Sequence, residues 1–185
     1  MTGCRIIVAI LILVASTVGA AAQLSSDPDI KIGEFIPVAT PQPAPEMSFD
    51  GLDGKPVSLA DFKGKLVVLN LWATWCQPCL KEMPSLEKLE ARLGPGLVVL
   101  AVSEDRGGAE VVKPFLAKFD LDKLTIGLDP KSTAIHALRA RGLPTSLVVD
   151  PDGKVLGKVE GGAEWDSDQM VAVLTKLMPP VSPGR

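Results

Sequence analysis

The chain has no tyrosine, one histidine and three cysteines, and aromatic residues make up only 4% of its 185 residues. These scarcities narrow the chemistry. His136 and three cysteines do not complete a four-ligand Cys/His metal site, because Cys4 falls in an N-terminal segment that reads as a targeting sequence. The net charge is −3 and no basic patch stands out, so nucleic acid is set aside as a partner. There is no internal repeat. What the chain does have is apolar content, at 46%, which is ample for one core, and a length that allows one domain plus flanking segments.

The long uncharged run sits at the start. Arg5 precedes it, it extends from Ile6 to Ala22, and Ala20-Ala21-Ala22 fits a small-x-small cleavage pattern before Gln23. Residues 1–22 therefore read as a secretory signal. The run is also at the short end of what spans a bilayer, so an uncleaved anchor stays open. Both readings export the domain, to the bacterial periplasm, either soluble or tethered to the inner membrane. Residues 23–46 carry Pro28, Pro37, Pro41, Pro43 and Pro45 among small polar residues and read as an extended linker. The folded domain is expected over 47–178 and a disordered tail over 179–185.

Within the domain, residues 66–93 read LVVLNLWATWCQPCLKEMPSLEKLEARL. A strand-length apolar run, Leu66 to Leu71, gives way to Trp75-Cys76-Gln77-Pro78-Cys79. A helical stripe follows, with Leu80, Met83, Leu86, Leu89 and Leu93 three or four apart. Two cysteines thus sit where a buried strand becomes a helix. A helix N-terminus offers unpaired N–H groups and a positive dipole end, which lower the pKa of Cys76. Pro78 suits the first turn. Cys79, one turn in, is expected to be deeper and shielded, close enough to Cys76 to close and reopen a small disulfide ring. A fall in pKa from about 8.5 to about 7 raises the thiolate fraction at pH 7 from roughly 3% to roughly 50%. A Brønsted coefficient of about 0.5 makes each thiolate roughly six-fold less nucleophilic, so the net gain as attacker is about three-fold. The lowered pKa therefore acts mainly on leaving-group quality and redox poise.

Other elements follow the same logic. Phe49 to Leu59 contains turn signals and a short strand, Val57-Ser58-Leu59. Leu97 to Val102 is a strand apolar on both faces, hence covered by helices on both sides. Val111, Val112, Phe115, Leu116 and Phe119 fit one helical face that Pro114 bends or delays. Leu124 to Leu128 is a strand. A helix is expected from Asp129 as cap and Pro130 as first residue to Gly142. Ser146 to Val149 and Lys154 to Val159 form a hairpin about Asp150-Pro151-Asp152-Gly153. A terminal helix follows an Asp166/Gln169 capping box, with Met170, Val173, Leu174, Leu177 and Met178 on its apolar face. His136 reads as a solvated or half-buried helix residue, Trp72 as core, and Trp165 as either packing or a surface feature.

Glu82 lies three residues after Cys79 and so shares its helix face. On the inward side its pKa is raised and it exchanges protons near pH 7; at the edge of the stripe it is an ordinary solvated carboxylate. Trp75 is either a lid over the sulfur or the last core residue. Pro144, between Leu143 and Thr145, starts a strand.

WCQPC after a strand resembles the WCxPC site of thioredoxin-like proteins. Asn70-Leu71-Trp72-Ala73-Thr74-Trp75, Lys81-Glu82-Met83-Pro84, Gly142-Leu143-Pro144-Thr145-Ser146 and Gly162-Ala163-Glu164-Trp165 resemble the periplasmic TlpA/ResA branch, over roughly residues 47 to 178. The resemblance implies an α/β thioredoxin-like fold: a central mixed β-sheet flanked by helices, with an N-terminal β-hairpin and a central helix–strand insertion. It implies a protein-disulfide reductase in which Cys76 and Cys79 exchange disulfides and Glu82 is an active-site glutamate. It also implies a cis bond at Pro144, with Leu143 and Thr145 beside the dithiol and the Leu143 backbone offering hydrogen bonds to a substrate peptide. Thioredoxins proper usually carry a buried aspartate six residues before the first cysteine. Here that residue is Asn70, which does not titrate, and this departure favours Glu82 for proton transfer. No cofactor or metal is expected, and the domain is expected to be a monomer. The implied partners are a membrane electron donor of the DsbD or CcdA kind, and disulfide-containing exported proteins: apocytochrome c, or oxidase copper-site and copper-chaperone cysteines. A disulfide-forming oxidase or isomerase, and a non-catalytic copper-handling module, are the competing readings.

Overall fold

The computed structural model describes residues 33–179. The signal or anchor assigned to 1–22, the first part of the linker and all but the first residue of the tail lie outside the described residues. Eight strands form one sheet: β1 (Ile36–Pro43), β2 (Ser48–Gly51), β3 (Pro56–Ser58), β4 (Leu66–Trp72), β5 (Leu97–Ser103), β6 (Thr125–Leu128), β7 (Thr145–Val149) and β8 (Lys154–Glu160). Their order is β1-β8-β7-β4-β5-β6-β2-β3. β4, β5 and β6 run parallel, while β7 lies antiparallel to β4. The helices are α1 (Gln77–Leu93), α2 (Ala109–Lys118), α3 (Thr133–Ala137) and α4 (Asp168–Leu177). This is the mixed, helix-flanked sheet expected, with the β2–β3 hairpin and the α2–β6 insertion in place.

Every residue of β4 and β5 is buried, as their continuous apolar runs require when both faces are covered. Alternation along β4 divides the core in two. Leu66, Val68 and Trp72 pack with Met83, Leu86 and Leu89 of α1, Val112 and Leu116 of α2, and Met170 and Leu174 of α4. Val67, Leu69 and Leu71 pack with Phe49, and with Ala134 and Leu138 in and just after α3. Asn70 follows the even-numbered positions, so this buried polar residue faces the side that α1 covers.

Five expectations are corrected. The linker does not run to residue 46: Ile36–Pro43 is an edge strand paired antiparallel with β8, and the Gly33 N–H donates to the Glu160 carbonyl at 2.9 Å. Its prolines suit an edge, where ladder donors are dispensable. The inward stripe of α1 is Cys79, Glu82, Met83, Leu86 and Leu89, rotated so that Leu80 is only half-buried. The helix expected from Pro130 to Gly142 contracts to Thr133–Ala137, because residues 129–132 make a turn with Ser132 at φ 54. Asp129 still caps it from across that turn, accepting from the Ala134 N–H at 2.7 Å. The cap of α4 is Ser167, whose hydroxyl accepts from the Met170 N–H at 3.3 Å; the Asp166 carboxylate is turned outward to Lys88 at 3.5 Å. On α2, only Val112 and Leu116 are buried, Val111 and Phe119 are exposed, and Pro114 sits inside the helix without delaying it. His136 is exposed.

Leu86 is fully buried between α1 and the sheet. Leu86→Ala is expected to cost about 2–5 kcal/mol, read from the denaturant midpoint of the oxidised protein. A loss below about 1 kcal/mol would contradict close packing of that face.

Candidate active site

The dithiol lies at the C-terminal edge of the parallel strands. β4 ends at Trp72, and the Cys76 N–H closes a turn onto the Ala73 carbonyl at 3.1 Å. Cys76 is the N-cap of α1, its sulfur accepting from the Cys79 N–H at 3.4 Å. Pro78 stands in the first turn, where no intrahelical donor is lost. The two sulfurs form a disulfide with the Cα atoms 5.3 Å apart. Cys76 is 5% exposed and Cys79 not at all, so of the two cysteines only the first reaches the surface, and only marginally. Trp75 is 67% exposed and stands beside the nucleophile as a free aromatic face, outside the core.

The loop is pinned from β5. Asp105 accepts from the Thr74 N–H at 2.9 Å and from the Thr74 hydroxyl at 2.7 Å. The Ser103 hydroxyl donates to the same carboxylate at 2.9 Å. Next to it, Glu104 donates its backbone N–H to the Trp72 carbonyl at 2.8 Å. Its buried side chain is pushed up to about 7, first by burial, then by the negative charge of Asp129, with Ser132 opposing.

Glu82 is the third element of the site. It is 2% exposed, on the same face of α1 as Cys79. Oε1 accepts from Asn70 Nδ2 at 2.8 Å. Oε2 accepts from the Ala163 N–H at 3.0 Å and from Trp165 Nε1 at 3.1 Å. Burial pushes its carboxyl up to about 7, against the pull of these three donors. Gly162 explains how the 161–165 segment comes so close: a Cβ there would stand 3.3 Å from the Pro78 carbonyl oxygen.

The Leu143–Pro144 peptide is cis. Thr145 pairs with Leu71, which brings Pro144 to the end of β4 that leads into the dithiol loop. The Thr145 hydroxyl donates to the Gly142 carbonyl at 2.7 Å. The Pro144 carbonyl accepts from the Gly161 N–H at 2.9 Å, linking this turn to the segment that supplies Glu82. Thus Trp75, Cys76, Pro78, Cys79, Glu82, Leu143, Pro144 and Thr145 gather at one end of the sheet. Sequence reasoning missed Asp105, the donor role of Asn70, and the Ala163/Trp165 contacts. The signal for Asp105 was its place just past a buried parallel strand. The other contacts join residues up to 83 positions apart and have no local signature.

A redox-active Cys-x-x-Cys at the N-cap of a sheet-covering helix defines a dithiol–disulfide domain of the thioredoxin-like class. The chain belongs to the AhpC/TSA family, whose pattern matches residues 40–157. It is 37% identical over 137 residues to the thiol-disulfide oxidoreductase ResA of Bacillus thuringiensis, covering 74% of this chain and 77% of that protein. Among solved structures, the thioredoxin domain of a thiol-disulfide oxidoreductase from Bacteroides vulgatus superposes with a TM-score of 0.65 at 29% identity, over 77% of this chain and 99% of that one. The exposed lipoprotein thioredoxin Etrx1 of Streptococcus pneumoniae does so with a TM-score of 0.60 at 30% identity, over 72% and 98%. The chain is a thiol–disulfide oxidoreductase.

Because the Glu82 pKa is raised on folding, the folded state binds the extra proton between about 4.5 and about 7. Its contribution is fully present below pH 4.5 and is lost as pH rises through 7, by on the order of 3 kcal/mol. The stability difference between oxidised wild type and Glu82→Gln should therefore swing against the wild type by that order between pH 4.5 and 8, in urea titrations. A difference that stays constant across this range would return Glu82 to an ordinary carboxylate.

Proposed function

We propose that the protein is an exported protein-disulfide reductase in which Cys76 attacks, Cys79 resolves and Glu82 handles the proton. The observation that carries this reading is the asymmetry of the pair: a helix-capping cysteine that keeps slight exposure, and a fully buried cysteine one turn from a buried carboxyl. In the reduced state the Cys79 N–H and the helix dipole favour the Cys76 thiolate. That thiolate attacks a partner disulfide. One partner sulfur leaves as thiolate and takes up a proton, and a mixed disulfide remains. Cys79 then gives its thiol proton to Glu82, and its thiolate attacks the Cys76 sulfur. The Cys76–Cys79 bond forms, the second partner sulfur leaves and is protonated, and two electrons have passed to the partner. Trp75 and the backbone at Leu143 offer the partner peptide an aromatic face and strand-like hydrogen bonds, with Pro144 and Thr145 holding that turn.

Export rests on the N-terminal segment, and among the described residues no helix is long and apolar enough to cross a membrane. Two similar proteins are described as a secreted thiol-disulfide isomerase and as an exposed lipoprotein thioredoxin. Outside the cytosol, electrons must arrive through a membrane carrier of the DsbD or CcdA kind. The partners in this reading are exported proteins whose cysteine pair must be reduced before haem or copper is loaded: apocytochrome c, or copper-site and copper-chaperone cysteines.

The reduction potential of the Cys76–Cys79 pair, measured by equilibration in glutathione or dithiothreitol buffers, decides the direction. A value at or below about −230 mV supports a reductase, and one near about −120 mV makes the protein an oxidant. Cys76→Ser is expected to abolish exchange and Cys79→Ser to accumulate mixed disulfides in cells. An absence of trapped partners from Cys79→Ser would count against the attack–resolve order.

A further inference from the structure

The two oxygens of Glu82 are not equivalent. Oε2 receives two N–H groups, from Ala163 and from the Trp165 indole, and Oε1 receives one, from Asn70. A carboxylate oxygen has about two acceptor sites. Protonating Oε2 would displace one of two buried donors, at about 1–3 kcal/mol. Oε1 keeps a free lone pair. Its neighbour is suited to both charge states, because Asn70 Oδ1 is buried without a hydrogen-bond partner. Turning the amide over brings that acceptor to a protonated Oε1, and the Ser146 hydroxyl, now 2.9 Å from Nδ2, serves either end.

We propose that Trp165 is a positioning residue of the exchange reaction: its indole N–H, with the Ala163 N–H, occupies Glu82 Oε2 and confines the working proton to Oε1. This rests on the reading of Glu82 as the proton acceptor. The geometry is held firmly. Trp165 is completely buried, and its backbone N–H donates to the Ser85 hydroxyl at 3.2 Å. That hydroxyl donates to the Glu82 carbonyl at 2.7 Å, so the indole and the carboxyl are tied to one turn of α1. The groups facing the carboxyl are Asn70 of β4, with Ser146 of β7 behind it, and the Ala163 and Trp165 N–H groups ahead of α4. Cys79 is one turn away on α1. None is charged in the oxidised protein, and the upward shift of Glu82 has burial as its first cause and no charged neighbour among its causes.

Trp165→Phe keeps an aromatic ring, though a smaller one, and removes the donor. The readout is the pH dependence, from pH 5 to 9, of single-turnover oxidation of the reduced protein by glutathione disulfide, followed by alkylation and mass spectrometry. Losing one donor to the charged form should move the Glu82-dependent limb up by about one pH unit, a ten-fold change in proton affinity, and leave the high-pH plateau unchanged. The shift should vanish in the Glu82→Gln background. A limb that stays in place in Trp165→Phe, while Glu82→Gln removes it, overturns the role of Trp165 and leaves Glu82 standing. A profile unaffected by Glu82→Gln removes both. If Trp165→Phe does not fold, the wild type still decides: the Trp165 indole N–H resonance should titrate near pH 7 in the oxidised protein and stay flat in Glu82→Gln. A resonance that does not move in the wild type overturns the proposal.

Discussion

Placing a carboxyl between a helix and a sheet costs several kcal/mol unless its lone pairs are filled. The chain supplies Glu82 with donors from three places, a strand side chain, a backbone N–H and an indole, and leaves one lone pair of Oε1 open. Much of the architecture around the dithiol can be understood as supplying these donors. Asn70 must fall on the α1-facing side of β4, which fixes the strand's alternation. The 161–165 segment must lie close to the first turn of α1, and at Gly162 a Cβ would be tight against the Pro78 carbonyl oxygen, at 3.3 Å. The donors are sufficient to make the buried carboxyl tolerable and insufficient to hold it charged at neutral pH. That balance between desolvation and hydrogen bonding leaves a proton that moves near pH 7.

The same edge of the sheet gathers the rest. Parallel pairing of β4, β5 and β6 puts the ends of all three strands at one side, so the residues just after each become neighbours. Asp105 uses this to pin Thr74, and the Asp129 N–H donates across to the Ser103 carbonyl at 2.8 Å. β1 joins from the far side. Gly33 is bonded to Glu160, and a Cβ on it would come within 2.7 Å of the Gly162 carbonyl oxygen. The N-terminal strand thus buttresses the segment that donates to Glu82, and the first described residue lies close to the active-site end of the domain.

The dithiol and its placement at a strand-to-helix junction were legible because each is a local pattern, whereas the fold class and the role of Glu82 came through the family resemblance, the helical stripe alone leaving Glu82 open between its inward side and its edge. An apolar run, a helical stripe and a Cys-x-x-Cys spacing are set within one or two turns of chain. The cis bond at Pro144 was legible only through family resemblance. The misread elements share a different cause. β1 is exposed along most of its length and exists through pairing with β8, so composition alone reads it as linker. The helix after β6 is short because Asp129 caps across a turn, which spacing rules do not foresee. Trp165 lies 83 residues from Glu82, and no pattern in either neighbourhood points to the other.

The division of labour between Asn70 and Glu82 follows from what each must do through a catalytic cycle. A titrating group on the strand would have to reach across to the helix and would lose its partners each time its charge changed. Placed on α1, three residues after Cys79, the carboxyl moves as one rigid body with the sulfur it serves. The strand position then needs a residue that satisfies both protonation states without titrating. An amide does this, because it presents a donor at one end and an acceptor at the other. An aspartate at position 70 would instead put a second carboxyl against Glu82. Like charges that close do not both ionise, and one of the pair would hold its proton well above neutrality. The neutral amide therefore keeps the proton-transfer function on a single carboxyl whose affinity is set by burial against three neutral donors, the Asn70 amide, the Ala163 N–H and the Trp165 indole.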